Sequence, residues 1–206
     1  RFLKTMEVIN PKIRVVGLTA TPYRLNSGSL IEGQDRLFTD IAYDVDVMQL
    51  VNDGYLSPLV AKAMDAEFDL SGIHTRAGDY KADELHKLTE SDALARQVLV
   101  EILAYGRQRK SWLIFCTGVN HAEKMATIIA EHGITTATIT GSTLPDERDF
   151  ILAQFKAGDI QCLTNCDVLT TGFDAPAIDM LVFLRPTQSQ GLYVQMCGRG
   201  MRLAES

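Results

Sequence analysis

The chain has 206 residues, enough for one sizeable core and, at roughly 150 residues per domain, for part of another. Its 46% hydrophobic and 22% charged residues are those of an ordinary globular protein, and no apolar run reaches the roughly 18 residues a membrane span needs. The net charge of −6 argues mildly against a protein that coats nucleic acid by bulk electrostatics, and says little about one that grips a strand through a few residues and backbone amides.

In chain order, the opening RFLKTMEVIN lacks an initiator Met and the long uncharged core of a signal peptide, so the expectation is a cytoplasmic piece of a longer protein with no membrane partner. IRVVGLTATP, residues 13 to 22, predicts one strongly apolar strand with no neighbouring strand before it. Such an orphan must be disordered, pair with another molecule or lie across the domain that follows. NSGSLIEGQ, residues 26 to 34, is turn-rich and reads as a linker. VDVMQLVNDGYLSP predicts a short helix closed by Gly54, LVAKAMDAEF the first strand of the main sheet, and the polar stretch from Asp69 to Asp79 a loop. ADELHKL and DALARQVLVEILAYGRQ predict helices.

From about residue 111 short apolar runs alternate with amphipathic ones. SWLIFC, ITTATIT, IQCLTN and DMLVFLR predict strands, and between them NHAEKMATIIAEHG and LPDERDFILAQFKAG predict helices stopped by Gly133 and Gly158. This is the rhythm of right-handed βαβ units around a parallel sheet, whose ligands gather at the carboxyl ends of the strands. Cys116, Cys162, Cys166 and Cys197 include no C-x-x-C pair and lie largely in apolar runs, so they read as buried free thiols.

The final octet QMCGRGMR raises the question of chemistry. If a helix opens after Pro186, Gln195, Arg199 and Arg202 fall at i, i+4 and i+7 on one face. Two arginines alone also suit a solvated basic helix end that complements the macrodipole. Upstream, TTGFDAP offers Gly172, which permits close approach of backbone to a ligand, and Asp174, an acceptor suited to a sugar hydroxyl; by itself the stretch is equally a plain turn.

Taken together, GLTATPYR, IFCTGVNHAE, TGSTLPDERDFILAQFKAG, VLTTGFDAP and RPTQSQGLYVQMCGRGMR resemble, in order, motifs III, IV, IVa, V and VI of the superfamily-two helicase core, in wording similar to the RadD-like bacterial and phage-type DNA helicases. The resemblance covers most of residues 13 to 203. It implies an α/β fold, a three-layer α/β/α parallel sheet of the RecA-like (P-loop NTPase) type, with residues 1–25 a remnant of a first RecA-like domain, 26–55 a linker and 56–206 the second. It also implies ATP and Mg2+ held mainly by that first domain, which is the expected partner together with nucleic acid, DNA in the first instance. Arg199 and Arg202 resemble the arginines that reach the γ-phosphate, with Gln195 beside them, while Gly172 and Asp174 lie near the nucleotide sugar. Thr117, Gly118, Thr140, Gly141 and Arg148 match positions that hold the sugar-phosphate backbone, a contact suited to hydroxyls and amides because it fixes register without reading bases. Where many relatives place a further phosphate-contacting Thr this chain has Cys166, which leaves Thr164, Asn165 or the backbone for that contact. Thr19 and Thr21 match the motif that couples hydrolysis to strand handling.

Two look-alikes are set aside. DELH, residues 83 to 86, follows no apolar strand and so is not the metal-holding acidic box, and in GRGMRL Leu203 replaces the third glycine of a dinucleotide fingerprint. His74, His86, His121 and His132 show no metal-ligand spacing. No Gly-Lys dipeptide occurs, so a G-x-x-x-x-G-K-[ST] phosphate loop is absent from these residues, and the expectation is a helicase carboxyl-terminal half, active in repair or translocation as a whole enzyme and inactive alone. An RNA helicase, a restriction-type translocase and a non-catalytic binding protein with the same fold are the alternatives.

Overall fold

The computed structural model describes residues 2–24, 28–34, 36–169 and 178–204. Its centre is a four-stranded sheet. β5 (Trp112–Phe115), β6 (Thr136–Ile139), β7 (Cys162–Asn165) and β8 (Met180–Phe183) are all parallel, in the spatial order β6-β7-β5-β8. Before them come α1 (Phe2–Ile9), β1 (Tyr23–Arg24) paired with β2 (Gly28–Ser29), α2 (Val47–Asn52), β3 (Thr75–Arg76) paired with β4 (Asp79–Tyr80), α3 (Ala82–Leu88) and α4 (Asp92–Gly106). α5 (Val119–Ala130), α6 (Pro145–Ala157) and α7 (Gln190–Cys197) alternate with the sheet strands.

β5 and β7 are buried along their whole length, which is why their sequences read as unbroken apolar or small runs rather than as alternating ones. Their side chains divide by parity. Trp112, Ile114, Cys116 and Cys162 join Val98, Leu99 and Ile102 of α4 and Ala122, Met125 and Ile129 of α5 in one core. Leu113, Phe115 and Leu163 join Phe155 of α6 and Met196 of α7 in the other. Helices therefore cover both faces, giving the expected three layers.

The helix ends follow local chemistry. The Ser91 side chain accepts from Leu94 N at the start of α4, and Ser189 does the same for Leu192 N at the start of α7. α6 has Pro145 in its first turn with Asp146 and Glu147, and stops at Gly158, whose φ of 85° is the left-handed conformation that glycine adopts without penalty.

Three expectations change. Residues 13–20 form no strand; they run as irregular chain with Val16 85% and Leu18 97% exposed, because no strand among the described residues offers them backbone partners. Just after this exposed stretch, Thr21 is buried and bonded to Gln195 of α7. Residues 59–68 likewise add no strand to the sheet. Their backbone is held by a side chain, Glu101 of α4, whose carboxylate accepts from Asp65 N and Ala66 N at 2.9 Å each, while Met64, Ala66 and Phe68 pack on the α4/α5 core. The loop at 69–79 contains the β3–β4 hairpin, turned by Ala77 and Gly78 at φ 58° and 83°, the pair of positive values that a two-residue turn matched to strand twist requires.

Candidate nucleotide and nucleic-acid site

The registers align Ile139, Asn165, Phe115 and Phe183 as the last row of the sheet. The residues that follow each strand therefore emerge along one edge: Thr117 and Gly118 after β5, Thr140 and Gly141 after β6, Asp167 after β7 and Arg185 after β8. Gly172 and Asp174 lie outside the described residues.

Thr140, Gly141 and Arg148 are brought together. The Thr140 hydroxyl pairs with that of Ser142 at 2.8 Å, Thr140 N donates to Thr143 Oγ1 at 3.0 Å, and Arg148 reaches the Thr140 carbonyl at 3.4 Å. Gly141 is exposed with open space where a side chain would stand. Gly141 and Ser142 face solvent, while Thr140 itself is buried at 5% exposure.

Thr117 is buried too. It is 3% exposed, its hydroxyl bonds Thr89 Oγ1 at 2.7 Å and His121 Nδ1 at 3.0 Å, and its carbonyl accepts from His86 Nε2. Gly118, the residue before α5, lies beneath the same imidazole; a Cβ there would stand 2.6 Å from His86 Nε2. The His of the rejected DELH thus docks α3 on the β5–α5 turn, while Glu84 of that quartet accepts from His74 N at 2.6 Å and from Lys81 Nζ at 3.1 Å. Those bonds, the His74 N–H first, hold the Glu84 carboxyl down to about 2. Thr164 is also corrected. It is fully buried, donating to the Ala122 carbonyl at 3.0 Å and pairing with Thr138 Oγ1 at 2.8 Å, so it ties α5 and β6 to β7 and offers no hydroxyl to a ligand. Asn165 is equally enclosed, donating to the Ile114 carbonyl at 2.9 Å.

Burial, with the charge of Lys124 and His86 nearby, pushes His121 down to about 4. Its Nδ1 accepts from Thr117 N at 3.4 Å, a role that a protonated ring cannot fill. Because the folded state prefers the neutral imidazole, the unfolded chain takes up the proton first as pH falls. The stabilisation is complete above about 6.5 and is lost as pH falls from there toward about 4. Denaturant titrations across that window show stability falling with acidification, and His121→Asn, which retains an acceptor without the titration, flattens the slope.

At the other end of the edge, α7 starts at Gln190 and ends at Cys197 rather than running on through the arginines. Only Gln195 is helical; Arg199 and Arg202 follow in a turn, so the three do not share one helical face. Gly198 caps the helix, Arg199 N donates to the Met196 carbonyl at 3.1 Å, and Gly200 lies so close to Leu181 and Leu59 that a Cβ would meet Leu181 at 2.8 Å. Ser57 N fastens the turn to the Met201 carbonyl at 2.7 Å. Arg199 is half-buried, and desolvation lowers its pKa from the usual value without threatening its charge.

Gln195 Nε2 donates to Thr21 Oγ1 at 3.4 Å, and Thr21 is held by Thr19, whose hydroxyl accepts from Thr21 N at 3.0 Å and donates to its carbonyl at 3.1 Å. The two threonines near the start of the chain and the glutamine near its end thus meet.

Two acids went unnoticed in the sequence. Asp167, at a φ of 60°, forms an ion pair with Arg185. Asp79, in β4, accepts from Thr187 Oγ1 at 2.9 Å and from Gln188 N at 2.8 Å, just before α7. A positive φ favours Asp locally, but nothing in the spacing announces either partner. All four cysteines are free, and burial pushes Cys162 up to about 12. Among the described residues no group of three His, Cys, Asp or Glu side chains could hold a metal ion, and no helix is long and apolar enough to cross a membrane.

A parallel sheet covered on both faces, with Gln195 and Thr21 meeting near its carboxyl edge, is the three-layer α/β architecture whose ligands gather at the ends of the strands. The family model for the helicase conserved C-terminal domain matches residues 94–204, and the chain belongs to that family. It is 32% identical over 197 residues to the protein named ATP-dependent helicase IRC3 of Saccharomyces cerevisiae, covering 95% of this chain and 28% of that protein. A 51.5 kDa protein of a Lactococcus phage is 27% identical over 191 residues, covering 91% and 40%. The chain thus spans well under half the length of these relatives. Among solved structures, the fragment of an HsdR subunit of a type I restriction enzyme from Vibrio vulnificus shares the fold with a TM-score of 0.68 at 24% identity, covering 98% of this chain and 39% of that one.

Proposed function

We propose that the chain is the carboxyl-terminal half of an ATP-dependent DNA helicase or translocase, and that Arg199 and Arg202 are its arginine fingers. In hydrolysis water attacks the γ-phosphorus, the bond from that phosphorus to the β–γ bridging oxygen breaks, and ADP leaves with the electron pair. Negative charge spreads over the transferring oxygens, and planar, permanently charged guanidinium groups stabilise it. Gln195 sits at the same cleft, and the observation that carries the reading is its contact with Thr21: a residue of the helix that leads into the arginine turn touches the segment expected to belong to the other lobe. Mg2+ and the phosphate cradle belong in this reading to that lobe, since no Gly-Lys dipeptide occurs in the chain. On the nucleic-acid side, the exposed Gly141 backbone with Arg148 holds the strand, while Thr117, Thr140 and Thr164, all buried, act from inside as supports.

The test is ATP hydrolysis by the complete polypeptide with single-stranded DNA, duplex DNA and RNA as stimulants, beside the present residues alone. DNA-stimulated turnover in the first and none in the second is the expected result. Stimulation by RNA only would move the assignment to an RNA helicase, absence of turnover in the complete polypeptide would make this a binding protein, and turnover by these residues alone would end the proposal.

A further inference from the structure

Asp79 belongs to the β3–β4 hairpin, is 9% exposed, and has both its carboxylate oxygens engaged. Oδ1 accepts from Tyr80 N at 2.9 Å and Gln188 N at 2.8 Å; Oδ2 accepts from Thr187 Oγ1 at 2.9 Å. Thr187 Oγ1 in turn accepts from Ser189 N at 3.0 Å, and the Ser189 side chain accepts from Leu192 N at 3.2 Å in the first turn of α7. One carboxylate thus begins a chain of bonds that fixes where α7 starts. On the other side of Pro186, Arg185 is held by Asp167. The four residues before the helix are therefore clamped from both flanks, although 108 positions separate Asp79 from Thr187.

We propose that Asp79 is a positioning residue for ATP hydrolysis. It touches no substrate; it sets the origin and tilt of α7, and so the reach of Gln195 and of the arginine turn that follows. A helix only eight residues long has little packing with which to hold its own angle, so an error at its first turn is carried to Arg199. Displacements of about 1 Å around a reacting centre cost up to about 100-fold in rate, and groups that act mainly in the transition state lower kcat while leaving KM in place.

The proposal rests on the arginine-finger reading, and the experiment separates the two. In the complete polypeptide with saturating DNA, Asp79→Ala is expected to lower kcat by about 10- to 100-fold with KM for ATP within about twofold. Asp79→Asn restores most of the rate, because the amide oxygen still accepts both N–H groups and the Thr187 hydroxyl can turn to accept from the amide nitrogen. Combined with Arg199→Ala, Asp79→Ala should lower kcat by much less than it does alone, since the largest effect it transmits, through Arg199, is already gone. A multiplicative loss in the double variant, or unchanged kcat in Asp79→Ala, overturns the role of Asp79. An undiminished rate in Arg199→Ala alone overturns the finger reading instead. Should Asp79→Ala not fold, Thr187→Val removes one of the three bonds and carries the same coupling measurement with Arg199→Ala.

Discussion

Arg199→Ala in the complete polypeptide is expected to lower kcat for ATP hydrolysis by about 10³- to 10⁵-fold, which is roughly 4 to 7 kcal/mol of barrier, while nucleotide affinity changes little. The asymmetry follows from what a finger does. Charge on the γ-phosphoryl oxygens develops as the bond to ADP loosens, so a guanidinium aimed there contributes far more to the transition state than to bound ATP. Half-burial of Arg199 sharpens the effect, because a charge partly withdrawn from water is screened less. Arg199→Lys recovers little, since an ammonium lacks the planar fork. Steady-state kinetics with a fluorescent-nucleotide binding titration distinguishes this from misfolding: loss of binding together with loss of turnover would make Arg199 structural.

The largest expected effect on stability comes from the middle of the sheet. Ile114 is fully buried on β5, the strand flanked by β7 and β8, and it faces α4 and α5. Ile114→Ala removes packed atoms from a site whose surrounding backbone is bonded on both sides and cannot collapse inward, so the loss should be about 3 to 5 kcal/mol. Against a typical total of about 5 to 15 kcal/mol, that is a large share. The chain has one tryptophan, Trp112, buried on the same strand face, and its fluorescence in a urea titration reads the shift directly. A loss below about 1 kcal/mol would mean that this core is looser than its burial indicates.

How far the sequence could be read depended on whether the decisive contacts were local. β5 and β7 were visible because strands covered on both faces stay apolar or small along their length, and α5 and α6 because Gly133 and Gly158 mark where the chain turns away. Residues 13–20 misled by composition: β-branched residues suit a strand, but a strand also needs a neighbour. Residues 59–68 misled in the opposite way, since their backbone is satisfied by Glu101, 35 and 36 positions away. Within the site, residue types were legible and directions were not. Thr117 and Thr164 are hydroxyls at the right places along the chain that point inward; for Thr164, its parity with Cys162 on β7 was the available clue. The end of α7 was set by tertiary contacts of Gly200 and Met201, which no helical periodicity encodes.

The strand order has a mechanical implication. β5 lies between β7 and β8, so the Arg185–Asp167 pair must pass over the carboxyl end of β5 to join the loops on either side of it. The segment that leads into α7 is thereby tied at Arg185 to Asp167, just after β7, by a side-chain bridge that does not run through the sheet beneath.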